Sequence, residues 1–401
     1  MERPLIEKVG RDNNGSVGLD GDVDLDREGY VLDIQPATPA LDRSVSLRRQ
    51  VTAQAMQVFG GWGYREIQIP LLDHFDALKR GLDEDQIARS FRFVDRGGNV
   101  MMLRPDVTPA VAKTYAYQLR GLPLPLRVAY ANKVVRVEES FGTSQVESYQ
   151  LGAELIGRRG LVADVEVLLI VLEVLERLGL KRFHINLGDH RLAKLLLNIS
   201  GAPRRIRDEV EEAILSRDPD EVRRILVNLG TRKRFVDALV VLAELEGGLQ
   251  QLDEIEAILG EERALQERIE YLRDVERTVD QLGYGRRVRI DLGELDGPGY
   301  YTGIGFSVVS EGASRRIARG GRFDKLIGHY GSDTPAVGFS FSLETLVELL
   351  HPKISQRSRG QRDHEVVTVR SDDAATGFEE ALKRRRNNLS ARIVAKQEEA
   401  T

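Results

Sequence analysis

The sequence predicts an α+β fold in which an antiparallel sheet is flanked by helices and interrupted by an all-helical insertion. Two groups of strand-like segments, rich in β-branched and aromatic residues, occur within 66–188 and 287–342. Between them, residues 190–283 have apolar positions at helical spacing almost throughout. Because both flanking groups have the strand pattern, we expect them to join in one sheet, with the helical block inserted between them.

The first half of the predicted sheet starts with a helix, a turn and a short strand. Helical spacing extends to Phe59, Gly-Gly-Trp-Gly interrupts it, and a strand at 66–70 ends at a proline. Segments 91–95 and 99–105 are typical of a hairpin, because Arg-Gly-Gly separates them. The remaining elements of this half are a helix at 109–120, strands at 126–139 and 148–157, and a helix at 161–180.

The second half begins with a strand at 182–188, which leads into the helical block. The last helix of that block has one apolar stripe, formed by Leu265, Ile269, Leu272, Val275, Val279 and Leu282. Strands resume at 287–293, 300–309 and 336–342, and a further strand and helix are expected within 365–386.

These patterns divide the chain into four parts. The first is a Gly-, Asp- and Asn-rich segment with little apolar periodicity, which we interpret as a mobile tail. The last is too short for an independently stable α/β domain of the usual size. The predicted boundaries are 1–37 for the tail, 38–189 with 284–352 for a discontinuous core, 190–283 for the helical insertion and 353–401 for a C-terminal remnant.

Composition excludes several classes of function. The chain has no cysteine, and its six histidines show no metal-ligand spacing, so we expect neither a metal site nor a bound cofactor. A formal net charge of −5 gives no general attraction to nucleic acid. The most apolar stretch, 161–180, contains four acidic residues and is therefore a buried helix rather than a membrane span. No secretory signal is evident, so we expect a cytoplasmic protein.

Four segments, taken in order, resemble a known family. They are 103–108 (LRPDVT), then 136–138 (RVE) with 150–154 (QLGAE), then 300–303 (YYTG), and finally 320–324 (GGRFD) followed by 335–339 (PAVGF). Their order and spacing are similar to those of the class II aminoacyl-tRNA synthetases, and specifically of the histidyl-tRNA synthetase branch. Each motif alone is weak, but four in the family's order are a specific signal.

The resemblance implies a pocket for free histidine. Such a ligand needs oxygen atoms around its ammonium group, an acceptor for a ring N–H and an aromatic or apolar wall for the ring plane. The predicted effector-binding residues are Asp106, Thr108 and Gln150 for the ammonium, Glu154 for the ring N–H, Tyr300 and Tyr301 for the wall, and Arg136, which is similar to the motif 2 arginine.

Each of these side chains also has an ordinary structural interpretation. Gln150 and Glu154 lie four residues apart on one strand face, where a satisfied polar cluster or a solvent face is common. The tyrosine pair is typical of core packing, and Arg136 with Glu138 is typical of a surface ion pair. The functional interpretation is favoured because all four segments occur together.

The chain departs from the synthetase pattern at three positions that normally hold arginine. Val146 lies in the motif 2 loop, Asp296 replaces the arginine of RGLDYY, and Thr345 replaces that of GLER. Amino-acid activation builds charge on phosphate oxygens, which fixed arginines stabilise. We therefore expect a cavity that binds histidine but lacks the positive charge for activation. Only a fragment resembling the anticodon-binding domain follows, so we expect no tRNA binding.

A retained pocket with these losses is the pattern of the ATP phosphoribosyltransferase regulatory subunit family. The resemblance implies a non-catalytic subunit that partners a short-form catalytic phosphoribosyltransferase in the first step of histidine biosynthesis, with histidine as feedback effector. Segment 46–70 is similar to motif 1, which implies a homodimer within a hetero-oligomer. The alternatives are an active histidyl-tRNA synthetase-like ligase and a histidine-binding adaptor in translation control.

Overall fold

The computed structural model describes residues 43–138, 145–244, 247–295, 297–357, 365–369 and 391–395, with isolated positions at 379, 382, 383 and 386. The predicted tail at 1–37 lies outside the described residues, as do Asp296 and most of the helix expected before residue 386. The strand expected near residue 365 is present at Glu365–Val369.

Twelve α-helices lie in the described part of the chain. In order they are α1 (Arg43–Gly61), α2 (Phe75–Leu78), α3 (Glu84–Ala88), α4 (Val107–Thr114), α5 (Leu161–Arg177), α6 (His190–Ile199), α7 (Arg204–Leu215), α8 (Pro219–Asn228), α9 (Lys233–Ala243), α10 (Leu249–Leu259), α11 (Arg263–Gln281) and α12 (Leu343–Arg357).

Thirteen strands accompany these helices in the same residues. They are β1 (Arg65–Glu66), β2 (Leu72–His74), β3 (Arg92–Val94), β4 (Val100–Leu103), β5 (Leu126–Glu138), β6 (Gln145–Ile156), β7 (Phe183–Asp189), β8 (Val288–Ile290), β9 (Ile304–Ser310), β10 (Ala318–Arg322), β11 (Ala336–Ser342), β12 (Glu365–Val369) and β13 (Ala391–Ala395).

The central sheet has eight strands in the order β1-β5-β6-β11-β10-β9-β7-β8. Strands from the second half of the chain therefore lie between strands from the first half. The six inner strands pair antiparallel, whereas β1 with β5 and β7 with β8 pair parallel at the two edges. The α+β prediction is confirmed, and the sheet is mixed rather than wholly antiparallel.

The helical block leaves the sheet after β7 and returns to it at β8. Its apolar faces are continuous with the core beneath the sheet, which includes residues of α1, α5, α11 and the central strands. Helix α5 is apolar on most of its surface because it is buried between the sheet and α11, as its sequence indicates. Leu282, predicted to extend the α11 stripe, lies just beyond the helix and is exposed.

A buried ion pair joins the sheet to the helical block. Asp164 of α5 is 1% exposed and accepts a hydrogen bond of 2.9 Å from Nε of Arg322, on β10. The Tyr271 hydroxyl of α11 donates to the same carboxylate, and Nη1 of Arg322 donates to Asp324 over 3.0 Å. Three elements that are distant in sequence are thus connected by one carboxylate.

Several predicted strand boundaries are wrong. The strand expected at 300–309 begins only at Ile304, because the preceding tyrosines lie in a turn closed by Tyr301 N–H on the Pro298 carbonyl. The strand expected at 66–70 is limited to Arg65–Glu66. The predicted hairpin forms, but it pairs with β2 in a separate three-stranded sheet. Strands β2, β10 and β13 were not predicted.

In the part of the chain that the structure describes, no helix combines the length and the apolar character needed to cross a bilayer. The same residues contain no group of three or more histidine, aspartate or glutamate side chains placed to hold a metal ion.

Replacing Arg322 by Met is expected to lower the free energy of unfolding by about 3–5 kcal/mol, because it leaves a buried carboxylate without its cation. Urea unfolding followed by circular dichroism measures the change. The double variant Asp164→Leu with Arg322→Met removes both charges and should be more stable than the single variant. Arg224→Met, in an exposed pair with Glu221, is the control and should change stability little. A double variant no more stable than Arg322→Met would contradict this.

Candidate functional site

A row of four glycines crosses the centre of the sheet next to Glu154. Glu154 of β6 pairs in register with Gly338 of β11. On the following strands Gly338 pairs with Gly321, Gly321 with Gly305, and Gly305 with Gly188. We call Gly338, Gly321, Gly305 and Gly188 the glycine row. Because paired residues of adjacent antiparallel strands point to the same side, the row leaves a shallow floor on the face that carries Glu154.

Side chains of the site occupy the space that this row leaves free. A Cβ atom added to Gly338 would lie 1.6 Å from Oε2 of Glu154, and one added to Gly305 would lie 2.5 Å from Nε2 of His190. At Gly321 it would lie 3.1 Å from the ring of Tyr301. The glycines are therefore required by the close approach of these groups.

A cavity of about 590 Å³ lies above this floor. It brings together six of the seven predicted effector-binding residues, which come from α4, β5, β6 and the turn before β9: Asp106, Thr108, Arg136, Gln150, Tyr300 and Tyr301. Glu154 is not on the cavity surface. It lies directly beneath, 1% exposed, between Thr108 and Gly338.

Asp106 is held at the N-terminus of α4 by two donors. The Tyr300 hydroxyl donates to its Oδ2 over 3.0 Å, and Nε2 of Gln86 donates to the same oxygen over 3.1 Å. Gln86 belongs to α3, where it forms a capping box with Asp83. The carboxylate is therefore fixed in position on the cavity wall, as an ammonium-binding group must be.

Gln150 lines the cavity and is held to α4 by its side chain. Its Oε1 accepts the N–H of Val107 over 3.0 Å, in the first turn of α4. An amide oxygen has a second lone pair, so the contact with an ammonium group stays a prediction.

Glu154 is a buried carboxyl with one oxygen satisfied and one not. Its Oε1 accepts hydrogen bonds from Thr108 Oγ1 at 2.7 Å and from the Tyr130 hydroxyl at 3.1 Å. Oε2 is buried and has no hydrogen-bond partner among the described residues. Burial raises the pKa of Glu154 to about 8, although the bonds from Thr108 and Tyr130 oppose the shift. At neutral pH this group is largely protonated.

The two tyrosines form an aromatic wall at the Glu154 end of the cavity. Their rings meet edge to face with centroids 5.3 Å apart, and Tyr301 contacts the ring of His190 in the same manner at 5.2 Å. Nζ of Lys194, on α6, donates to the Tyr301 carbonyl over 3.2 Å. The wall is therefore supported from the helical block.

Sequence reasoning missed four arginines that line the cavity besides Arg136. They are Arg89, Arg315, Arg316 and Arg319. The cavity therefore has more arginines than the motif comparison indicates, together with the acidic residues Asp83, Asp85, Asp106 and Glu344. The expectation that its charge does not support activation stays a prediction. Three of these arginines are visible in the sequence as the run SRRIARGGR. Only the strand register of β10 shows that Arg319 of this run lies on the face that carries the cavity.

The three positions that lack the synthetase arginines have different surroundings. Thr345 lines the cavity at the start of α12, and Val146 lies near the beginning of β6. Asp296 is outside the described residues. Of these three positions, Thr345 is the one that lines the cavity among the described residues. The cavity therefore has arginines, but none at the position where motif 3 has its arginine.

Comparison with known proteins agrees with this geometry. Residues 38–346 match the family described as histidyl-tRNA synthetase. The ATP phosphoribosyltransferase regulatory subunit of Geobacter sulfurreducens is 33% identical over 346 residues, covering 86% of this chain and 78% of that protein. The protein of the same name from Anaeromyxobacter dehalogenans is 35% identical over 347 residues, covering 85% and 95% respectively.

Two solved structures show the same fold. One, named an ATP phosphoribosyltransferase regulatory subunit/histidyl-tRNA synthetase from Bacillus halodurans, has a TM-score of 0.79 at 24% identity, covering 92% of this chain and 94% of that chain. The other, a histidyl-tRNA synthetase from a Nostoc species, has a TM-score of 0.68 at 18% identity, covering 90% and 86%.

The buried carboxyl predicts a pH-dependent stability. The pKa of Glu154 rises from 4.5 in the unfolded chain to about 8 in the fold, so unfolding releases a proton between these values. The free energy of unfolding of the wild type should therefore fall as pH rises from 4.5 to 8. This decrease should exceed the decrease in Glu154→Gln by on the order of a few kcal/mol. Urea unfolding at pH 5 and pH 8 measures this difference.

The control for this comparison is Glu147→Gln, which changes an exposed glutamate of the same strand. It should follow the wild type at both pH values. If Glu154→Gln and the wild type lose stability in parallel, Glu154 does not carry the proton that we assign to it.

Proposed function

The chain belongs to the family of ATP phosphoribosyltransferase regulatory subunits, and we propose that its cavity binds free histidine as the effector of that enzyme. The observation that carries the proposal is the unsatisfied oxygen of Glu154, buried beside an aromatic wall and below a cavity. An imidazole ring supplies the missing partner, because it has one nitrogen that can donate to the carboxyl and one that can accept from it. A buried site of this kind discriminates strongly, because a ligand without such a ring leaves the carboxyl unpaired.

The ammonium group of the ligand faces Asp106. This carboxylate is held by Tyr300 and Gln86, and it lies on the same side of the cavity as Thr108. The ring lies against Tyr301 above the glycine row. Two anchors at opposite ends of one ligand select for an amino acid with an imidazole side chain over other amino acids.

The relatives are named regulatory subunits of ATP phosphoribosyltransferase, and we propose a catalytic phosphoribosyltransferase of the short form as the partner. Histidine then acts as feedback effector of the first step of histidine biosynthesis, in the cytoplasm. Such control requires that histidine bind one arrangement of the complex more tightly than another.

We further propose that two copies of this chain pair within the complex. The three-stranded sheet next to α4 exposes Leu72 and Phe93 on one face and Val94 and Val100 on the other. Exposed apolar side chains on both faces of so small a sheet favour burial against a second chain. Sedimentation analysis that finds only monomers at micromolar concentration would contradict the pairing.

Calorimetry with histidine tests the pocket. Glu154→Gln is expected to weaken binding by about tenfold and Glu154→Met by about a hundredfold, because the first loses the proton that the carboxyl can share with the ring and the second loses every bond. The control Glu147→Gln should bind as the wild type does. Unchanged affinity in both Glu154 variants would remove the pocket assignment.

An active amino-acid-activating ligase is the competing function, because arginines do line the cavity. ATP–pyrophosphate exchange in the presence of histidine separates the two. We expect no exchange above background, with or without the catalytic partner. Exchange at the rate of a true synthetase would show that the chain is an enzyme.

A further inference from the structure

Arg319 occupies an unusual position in the centre of the sheet. It lies on β10, between β11 and β9, and it is the only exposed residue of that strand. Four of the five residues of β10 are buried, and two of them are glycines. Arg319 is exposed and lies in the cavity wall, where a ligand can reach its guanidinium.

The register places Arg319 on the same face as Glu154. It pairs with Ser340 of β11 and Ser307 of β9, and Ser340 pairs with Gly152 of β6. This second row runs beside the glycine row, two residues further along each strand. On the two strands that flank β10 the members of this row are serines, so Arg319 has no bulky in-register neighbour there, whereas further out the row continues to Tyr130 of β5 and Asn186 of β7.

The spacing fits one amino acid between the two groups. Arg319 is two strands and two residues away from Glu154, which is about 10 Å across the sheet and about 7 Å along it. Both side chains are long and belong to the same face of the sheet. A histidine whose ring contacts Glu154 therefore spans the gap toward the guanidinium of Arg319.

Electrostatics orients such a ligand. The Asp106 carboxylate repels the carboxylate of a ligand, whereas Arg315, Arg316 and Arg319, which also line the cavity, attract it. Arg316 is in addition paired with Glu294 at 3.6 Å. Arg136 directs one nitrogen, Nη1, to the Pro105 carbonyl over 3.0 Å. Arg319 pairs in register with Ser340, which also lines the cavity.

We propose that Arg319 binds the α-carboxylate of the effector. Asp296 stands where the synthetase pattern has an arginine, so that position supplies no cation. A guanidinium forms two parallel hydrogen bonds with a carboxylate, so it fixes orientation as well as charge. Arg319 thereby selects histidine over analogues that lack the carboxylate, such as histamine. The inference rests on the proposed function, since it concerns the same ligand.

Calorimetry with histidine and with histamine tests this role. The wild type should bind histidine at least tenfold more tightly than histamine. Arg319→Met should weaken histidine binding by tenfold to a hundredfold and leave histamine binding unchanged, so the preference disappears. Histamine also verifies that the variant pocket is intact. Arg319→Lys should retain part of the preference, because it keeps the charge but not the planar fork.

Two further variants complete the experiment. Arg182→Met, in an exposed ion pair with Glu311, is the matched control and should retain the wild-type preference. Arg136→Met tests the competing cation. A preference that survives in Arg319→Met, or one that disappears only in Arg136→Met, overturns the inference and leaves the histidine pocket in place. A wild type that binds neither ligand refutes the proposed function itself.

Discussion

The site depends on the absence of side chains along one row of the central sheet. Gly338, Gly321 and Gly305 lie on three neighbouring strands, and a Cβ atom at any of them would approach Glu154, Tyr301 or His190 closely. A continuous apolar face would fill the same space and bury the sheet completely. The glycine row instead opens a depression in which a carboxyl group and an aromatic wall lie side by side.

Much of the fold and of the site was predictable from the sequence, because the motifs carry the residues that the sheet brings together. Asp106, Gln150 and Tyr301 come from three separate motifs and meet in one cavity, as predicted. The strand AVGFSFS was placed correctly because its pattern is regular. Strand β10 was missed because ARGGR has neither alternation nor β-branched residues, and its pairing depends on tertiary contacts alone.

Other features of the site require the register of the strands. Nothing in the sequence shows that Gln150 gives its oxygen to the first turn of α4, or that Glu154 lies below the cavity surface rather than in its wall. Arg315, Arg316 and Arg319 stand in an arginine-rich run of the sequence, and only the pairing of β10 with β11 shows that Arg319 lies on the face that carries Glu154. The positions of these side chains follow from which residues pair across the strands, and the amino-acid sequence alone does not give that pairing.

The cavity is physically connected to the helical block. Lys194 of α6 supports the Tyr301 carbonyl, and Arg322 joins β10 to Asp164, which also accepts a hydrogen bond from the hydroxyl of Tyr271 on α11.

We propose that the carboxyl of Glu154, beneath the glycine row, pairs with the imidazole ring of a bound histidine. A crystal structure with bound histidine tests it most directly. We predict a ring nitrogen within hydrogen-bond distance of Glu154 and the ring against Tyr301. Histidine bound elsewhere, with Glu154 still unpaired, would contradict the account.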